Sequence, residues 1–193
     1  MSKTVLITGA GTGFGRDAAI EIARRGHRVI AATLTQAEAD ALAAQHPELR
    51  TVKLDVTSPD DVAQAAGWDV DVLISNAGLG QSGPLRRIPM DRLRRVFEVN
   101  VFGSVAIAQV VANTMVQRGS GRILLVSSVA GVLSGPGTGP YCMTKHALQA
   151  FGIALRAELA PAGVDVALIN PGPFSTGFND RMATDPEIGR AHV

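Results

Sequence analysis

Tyr141 is the only tyrosine in the chain, and Lys145, one of three lysines, follows it by four residues in the run YCMTKHALQAF. On a helix, positions i and i+4 share a face, so this spacing would set an ammonium beside a phenol. A free phenol has a pKa of about 10, and a nearby cation favours the phenolate, bringing the group toward a range useful in proton transfer. Ser128 ends the run RILLVSS, and the Gly/Pro loop SGPGTGP between it and Tyr141 is long enough to fold back. A serine hydroxyl aimed at the same point can donate to a carbonyl oxygen as negative charge develops there. Taken singly, these are a turn serine, a helix-start aromatic and a solvated charge. Taken together, they read as an acid with its helpers.

A second constellation lies near the N-terminus. VLITGAGTGFGRDAA joins a strand-like run to a helical one, with Gly9, Gly11, Gly13 and Gly15 in the turn. Glycines there let the backbone approach a pyrophosphate and aim helix N-terminal N–H groups at it. The pattern Gly9, Gly13, Gly15 is T-G-x-x-x-G-x-G, which differs from the general dinucleotide fingerprint G-x-G-x-x-G. Asp55, in KLDVT, stands at the end of a strand, where an adenine amino group could donate to it. Asn76, Ala77 and Gly78, in LISNAGLG, form a small polar turn against which a flat cofactor can lie. Both stretches fall where ligands bind in open α/β sheets.

The elements that must position these residues alternate along the chain. Short apolar runs recur, KTVLIT, HRVIAA, RTVKL, VDVLIS, RILLVS and VDVALI, apolar on both faces as in strands covered from both sides. Helical spacing occupies residues 17–25, 37–45, 61–66, 90–117 and 145–160. Pro89 suits the first turn of the longest segment, and Gly119 and Gly121 stop it. The alternation predicts a doubly wound α/β fold, a parallel sheet with helices on both faces. With 193 residues, 46% of them hydrophobic, and no break in composition, one domain is expected. Net charge is +1, and the cluster Arg86, Arg87, Arg92, Arg94 and Arg95 is interleaved with Leu93, Val96 and Phe97 as on a solvated helix face, so no nucleic-acid partner is expected. A single cysteine, Cys142, offers neither a disulfide framework nor a metal cluster. With no signal-like N-terminus and no apolar stretch read as long enough to cross a bilayer, a soluble cytoplasmic protein without membrane partners is expected.

The ordered set TGAGTGFG, LDVT, SNAG, EVNVFG, LLVSS, YCMTK and NPGPFSTGF, from Lys3 to about Asn179, resembles the short-chain dehydrogenase/reductase family and its hydroxysteroid-dehydrogenase-like subgroup. The resemblance implies a three-layer α/β/α Rossmann-type sheet of order 3-2-1-4-5-6, with the usual seventh strand missing here. It also implies an NAD(P)-dependent oxidoreductase that interconverts a ketone or aldehyde and an alcohol. The family's tetrad falls on Asn100, Ser128, Tyr141 and Lys145. Tyr141 would be the acid in reduction and the base in oxidation, and Ser128 would polarise the substrate oxygen. Lys145 would hold the nicotinamide ribose and lower the Tyr141 pKa, and Asn100 would anchor a water in the proton relay. Cofactor contacts are implied for Gly9, Thr12, Gly13, Phe14, Gly15, Thr33, Asp55, Val56, Asn76, Ala77 and Gly78. A loop at Pro171, Gly172, Phe174 and Thr176 would face the nicotinamide. A full-length version is expected to be a homo-oligomer, and the alternative reading is a non-catalytic NAD(P)-binding regulatory or scaffold protein.

Two departures from the pattern stand out. Members that prefer NAD carry a carboxylate at the end of the second strand, whereas Thr33 and Leu34 stand there, so NADP is expected ahead of NAD, with Arg16 read as a helix-surface residue. The segment between Asp55 and Asn76 is short, so a small helix is expected in it. The chain also ends earlier than the family pattern. One choice of codons for Ile188 to Val193, ATC GGA AGA GCA CAC GTC, matches the start of a common sequencing-library adapter. Residues 1–187 are therefore expected to be one NAD(P)-binding domain, C-terminally truncated, and residues 188–193 a non-native tail.

Overall fold

The computed structural model describes residues 1–174 and Phe178, so Thr176 and the tail 188–193 lie outside the described residues. Six parallel strands form one sheet in the order β3-β2-β1-β4-β5-β6. They are β1 (Thr4–Thr8), β2 (Arg28–Thr33), β3 (Arg50–Lys53), β4 (Val72–Ser75), β5 (Gly121–Val126) and β6 (Val164–Ile169). Each falls within a residue or two of an apolar run noted above. Strand order reverses between β1 and β4, which places the switch point, and with it the cleft, at their carboxyl ends.

Successive strand residues point to opposite faces, and the core divides accordingly. Val5, Ile7, Val29, Ala31 and Ile74 pack on one side with Ala19 of α1 (Gly13–Arg24) and Leu42 of α2 (Gln36–Gln45). Leu6, Ile30, Leu73, Ile123 and Leu125 face the other side, against Ile107, Val111 and Met115 of α5 (Ser104–Arg118) and Leu148 and Leu155 of α6 (Gly139–Leu159). Both faces of the central strands are thus dry, which explains their unbroken apolar runs. The short segment before β4 forms only α3 (Pro59–Ala63) and a single 3₁₀ turn at Gln64–Gly67, a small element as expected.

Two helices differ from their sequence periodicity in ways that matter to the site. The run from Met90 to Arg118 is continuous, but between α4 (Met90–Phe97) and α5 it widens into a π-turn at Glu98–Gly103. By length and composition this run could cross a membrane, contrary to the expectation that no stretch was long enough. Its buried face is instead the cover of the sheet, through Ile107, Ala108, Val111, Ala112 and Met115. The arginines of α4 are exposed while Val96 is buried, the solvated face expected from their spacing. The second difference is α6, which begins at Gly139, six residues before its periodic apolar pattern, because Pro140 in its first turn has a φ already suited to a helix. Tyr141 therefore sits inside the first turn, on the same helix as Lys145.

The switch point is closed by one buried hydroxyl. Thr8 Oγ1 accepts from the backbone N–H groups of Asn76 (3.0 Å) and Ala77 (3.1 Å), and Asn76 Nδ2 donates back to the carbonyls of Thr8 (3.0 Å) and Gly9 (3.2 Å). Thr8→Val keeps the shape but leaves two N–H groups without an acceptor. The expected cost is about 2 kcal/mol, to be read as a lower urea midpoint at unchanged slope.

Candidate active site

The carboxyl ends of the strands open into one cleft of about 930 Å³, a size suited to a small-molecule or cofactor site. The glycine turn after β1 forms one wall. Gly9 has a φ of +68°, and a Cβ there would come within 2.8 Å of Ala77 Cα, so only glycine lets the two turns meet. A Cβ on Gly15 would strike the Gly9 carbonyl, so Gly15 allows close packing of helix on strand beneath the cleft and does not line it. The first turn of α1 reads Gly13, Phe14, Gly15, Arg16, which leaves helix N–H groups and their positive dipole end facing the cleft with no acidic residue in that turn. This cradle fits a pyrophosphate, and Gly9, Thr12, Gly13 and Phe14 line it.

Asp55, Val56, Asn76, Ala77 and Gly78 line the next stretch of the cleft. Asp55 Oδ1 accepts from the Thr57 N–H (2.9 Å) and hydroxyl (2.7 Å), which fixes the carboxylate in place. Asp61 in turn accepts from the Asp55 N–H at 2.7 Å, and its bond from the Lys53 ammonium holds its carboxyl below the usual range. Thr33 is not brought to the cleft. It is 1% exposed, and its hydroxyl donates to the Thr35 carbonyl (3.0 Å). Leu34 and Glu38 line the cleft there instead. At the far end, Pro171, Gly172 and Phe174 complete the wall. The ring of Phe174 meets that of Phe14 edge-on, with centroids 5.3 Å apart, joining the loop after β6 to the glycine turn.

Ser128, Tyr141 and Lys145 converge at this end. The Tyr141 phenol and the Ser128 hydroxyl stand near enough for the serine to favour the phenolate, and the Lys145 Nζ lies 5.6 Å from the Tyr141 ring centroid while donating to the Val126 carbonyl at 2.8 Å. Ser128 Oγ also accepts from the Ala130 N–H (3.1 Å), which orients the hydroxyl. Asn100 is fully buried behind the wall. Its Oδ1 accepts from Leu79 N (2.7 Å), and its Nδ2 donates to Leu79 O (2.8 Å) and Thr144 Oγ1 (3.0 Å). The π-turn is what swings this amide out of helical register to reach the loop after β4. Both Nδ2 hydrogens are committed, so a water at Asn100 would have to use the second lone pair of Oδ1 or the main chain.

Thr144 was not singled out in the sequence, yet its hydroxyl accepts from Asn100 and donates to the Tyr141 carbonyl at 2.7 Å. Thr8 was likewise missed as a site residue. Both are small hydroxyl residues next to a motif residue, and only their partners, 68 and 44 positions away in sequence, mark them.

The electrostatics differ from the simple picture of a lysine lowering a phenol. Burial pushes the Tyr141 phenol up to about 12, against the Ser128 bond that lowers it. Burial likewise pushes the Lys145 ammonium down to about 8. Desolvation disfavours the charged form of each group, and it is the largest cause of both shifts. At neutral pH the site therefore holds a protonated phenol beside a still-charged ammonium.

A family model described as short chain dehydrogenase matches residues 3–187, and the chain belongs to this family of NAD(P)-binding oxidoreductases. It is 38% identical over 202 residues to 17-beta-hydroxysteroid dehydrogenase type 1 of Homo sapiens, covering 97% of this chain and 62% of that protein's length. Among solved structures, a short-chain dehydrogenase from Sphingobium yanoikuyae in complex with NADPH is 32% identical with a TM-score of 0.86, over 95% of this chain and 75% of that one. A short chain dehydrogenase/reductase from Burkholderia phymatum in complex with NAD is 33% identical with a TM-score of 0.85, over 96% and 71%.

The buried lysine gives a stability test. Its folded pKa of about 8 lies below the ordinary 10.5, so between these values the unfolded chain binds more protons and stability rises with pH. Lys145→Met removes this dependence. The stability of the variant relative to the parent should therefore fall by about 2 kcal/mol between pH 7.5 and 9.5, measured by chemical unfolding at each pH.

Proposed function

We propose that the chain is a short-chain dehydrogenase/reductase domain, spanning residues 1–187, that interconverts an apolar ketone and the matching secondary alcohol with NAD(P), using Tyr141 as acid and base. The observation that carries this reading is the Tyr141 phenol, set with Ser128 and Lys145 in the lining of the same cleft that holds the glycine cradle. A non-catalytic nucleotide binder has no use for that cluster.

When bound, the nicotinamide supplies the hydride in reduction and takes it in oxidation. The remaining steps belong to the chain's own groups. Ser128 and Tyr141 donate to the substrate carbonyl oxygen, Ser128 by a hydroxyl held in place through the Ala130 N–H. As the oxygen gains negative charge, Tyr141 gives it the phenolic proton. The phenolate left behind is offset by the Lys145 ammonium, which stabilises this state more than the resting one. Asn100 and Thr144 act as positioning residues, tying the loop at Leu79 to the turn that carries Tyr141. A protonated phenol at neutral pH is the form that reduction requires as proton donor.

Phe178 packs against the Tyr141 ring, with centroids 5.7 Å apart, and Leu79, Val129, Leu133 and Phe174 also line the cleft, which suits a bulky apolar substrate, as the name of the human relative also suggests. Phe102, Met143 and Ile153 expose apolar surface on the helices, which supports the expected homo-oligomer. The lone buried thiol of Cys142 is in keeping with a reducing cytoplasm. Tyr141→Phe should bind the dinucleotide within about twofold of the parent and lose about a hundredfold or more in kcat on a panel of apolar ketones. Calorimetric titration and steady-state rates check the two halves, and a variant as active as the parent would overturn the mechanism.

A further inference from the structure

The sequence carries no carboxylate at the end of β2, yet the structure supplies one from elsewhere. Glu38 lies in the first turn of α2, and its carboxyl folds back over the strand end toward the glycine turn. A Cβ built on Gly11 would lie 3.6 Å from Glu38 Cδ and 3.7 Å from Oε2, so this carboxylate rests against the cradle itself. Glu38 lines the cleft together with Gly11 and Leu34. Its orientation is set by a capping box: the Thr35 hydroxyl accepts from the Glu38 N–H (3.2 Å), and Glu38 Oε2 accepts from the Thr35 N–H (3.1 Å). The box uses Oε2 and leaves Oε1 for a ligand.

We propose that Glu38 selects NAD(H) over NADP(H) by occupying the cleft where the adenosine ribose lies. The inference rests on the nucleotide-dependent reading above. A dinucleotide with its pyrophosphate on the N-terminus of α1 would lay its adenosine half toward the ends of β2 and β3, where Gly11, Leu34 and Asp55 line the cleft. There a fixed carboxylate accepts from the ribose hydroxyls and repels a 2′-phosphate. Arg16 Nη2 donates to Gln45 at 2.6 Å and Lys53 bonds Asp61, so neither is directed at this carboxylate; Arg95, from α4, is the basic residue that shares the cleft lining with Glu38 and Asp55. Thr33, buried under Gly11, can reach neither ribose nor phosphate. The selecting charge thus comes from the helix after β2, and the preference runs opposite to the one the residues at the strand end suggest.

The test is direct titration of NADH and NADPH against the protein by calorimetry, without substrate. The parent should bind NADH about tenfold or more tightly than NADPH. Glu38→Gln keeps the capping box, since glutamine can accept from the Thr35 N–H, but removes the charge; it should bring the two affinities within about twofold, with an unchanged melting curve. Equal or tighter binding of NADPH by the parent would overturn the proposal whatever the variant does, as would an unshifted ratio in a folded Glu38→Gln. Failure to bind either nucleotide would overturn the dehydrogenase reading as well, so the two failures are distinct.

Discussion

A parallel sheet brings every strand's carboxyl end to one edge, and the molecule depends on how closely two of those ends can approach. At the switch point between β1 and β4, the turns after the strands touch through Gly9 and Ala77, and the Thr8 hydroxyl with the Asn76 amide ties them together. Larger side chains there would hold the turns apart. The cradle and the floor of the cleft exist because these two turns are bound to each other, and α1 points its N-terminus into the cleft because Gly15 packs directly under Gly9.

From that point the site is built outward by polar ties that cross between elements. Asn100 reaches the loop after β4 only because the helix widens at Glu98–Gly103, and Thr144 passes the constraint on to the turn that holds Tyr141. These groups are buried, so each hydrogen bond is costly to leave unmade, and the Tyr141 end of the cleft is held by the same bonds that satisfy the wall. Ser128 is fixed separately, by its own 3₁₀ turn.

Burial then sets the charge states. In water a phenol and an ammonium lose their protons at nearly the same pH, about 10, but low polarity raises the cost of both ions and moves the two apart. Tyr141 stays protonated over the physiological range, while Lys145 sits close to its titration point. This arrangement keeps the proton on the phenol, and it makes the lysine's charge sensitive to whatever binds beside it.

The sequence by itself determined the alternation of strands and helices, the strand order through its family pattern, and the glycine turn, because periodicity, turn chemistry and motif order are local properties of a chain. The pairing of Tyr141 with Lys145 was legible for the same reason, being a matter of helical spacing. Thr8, Thr144 and Glu38 were not legible, since each acts through a partner or a direction that its neighbours in sequence do not announce. Thr33 shows the converse: it occupies the position where a specificity residue is sought, but the end of β2 turns it inward beneath Gly11, and the carboxylate arrives from α2. Which side chain faces a cleft is decided by how a strand end and the following helix pack against the next turn, and only the tertiary structure fixes that.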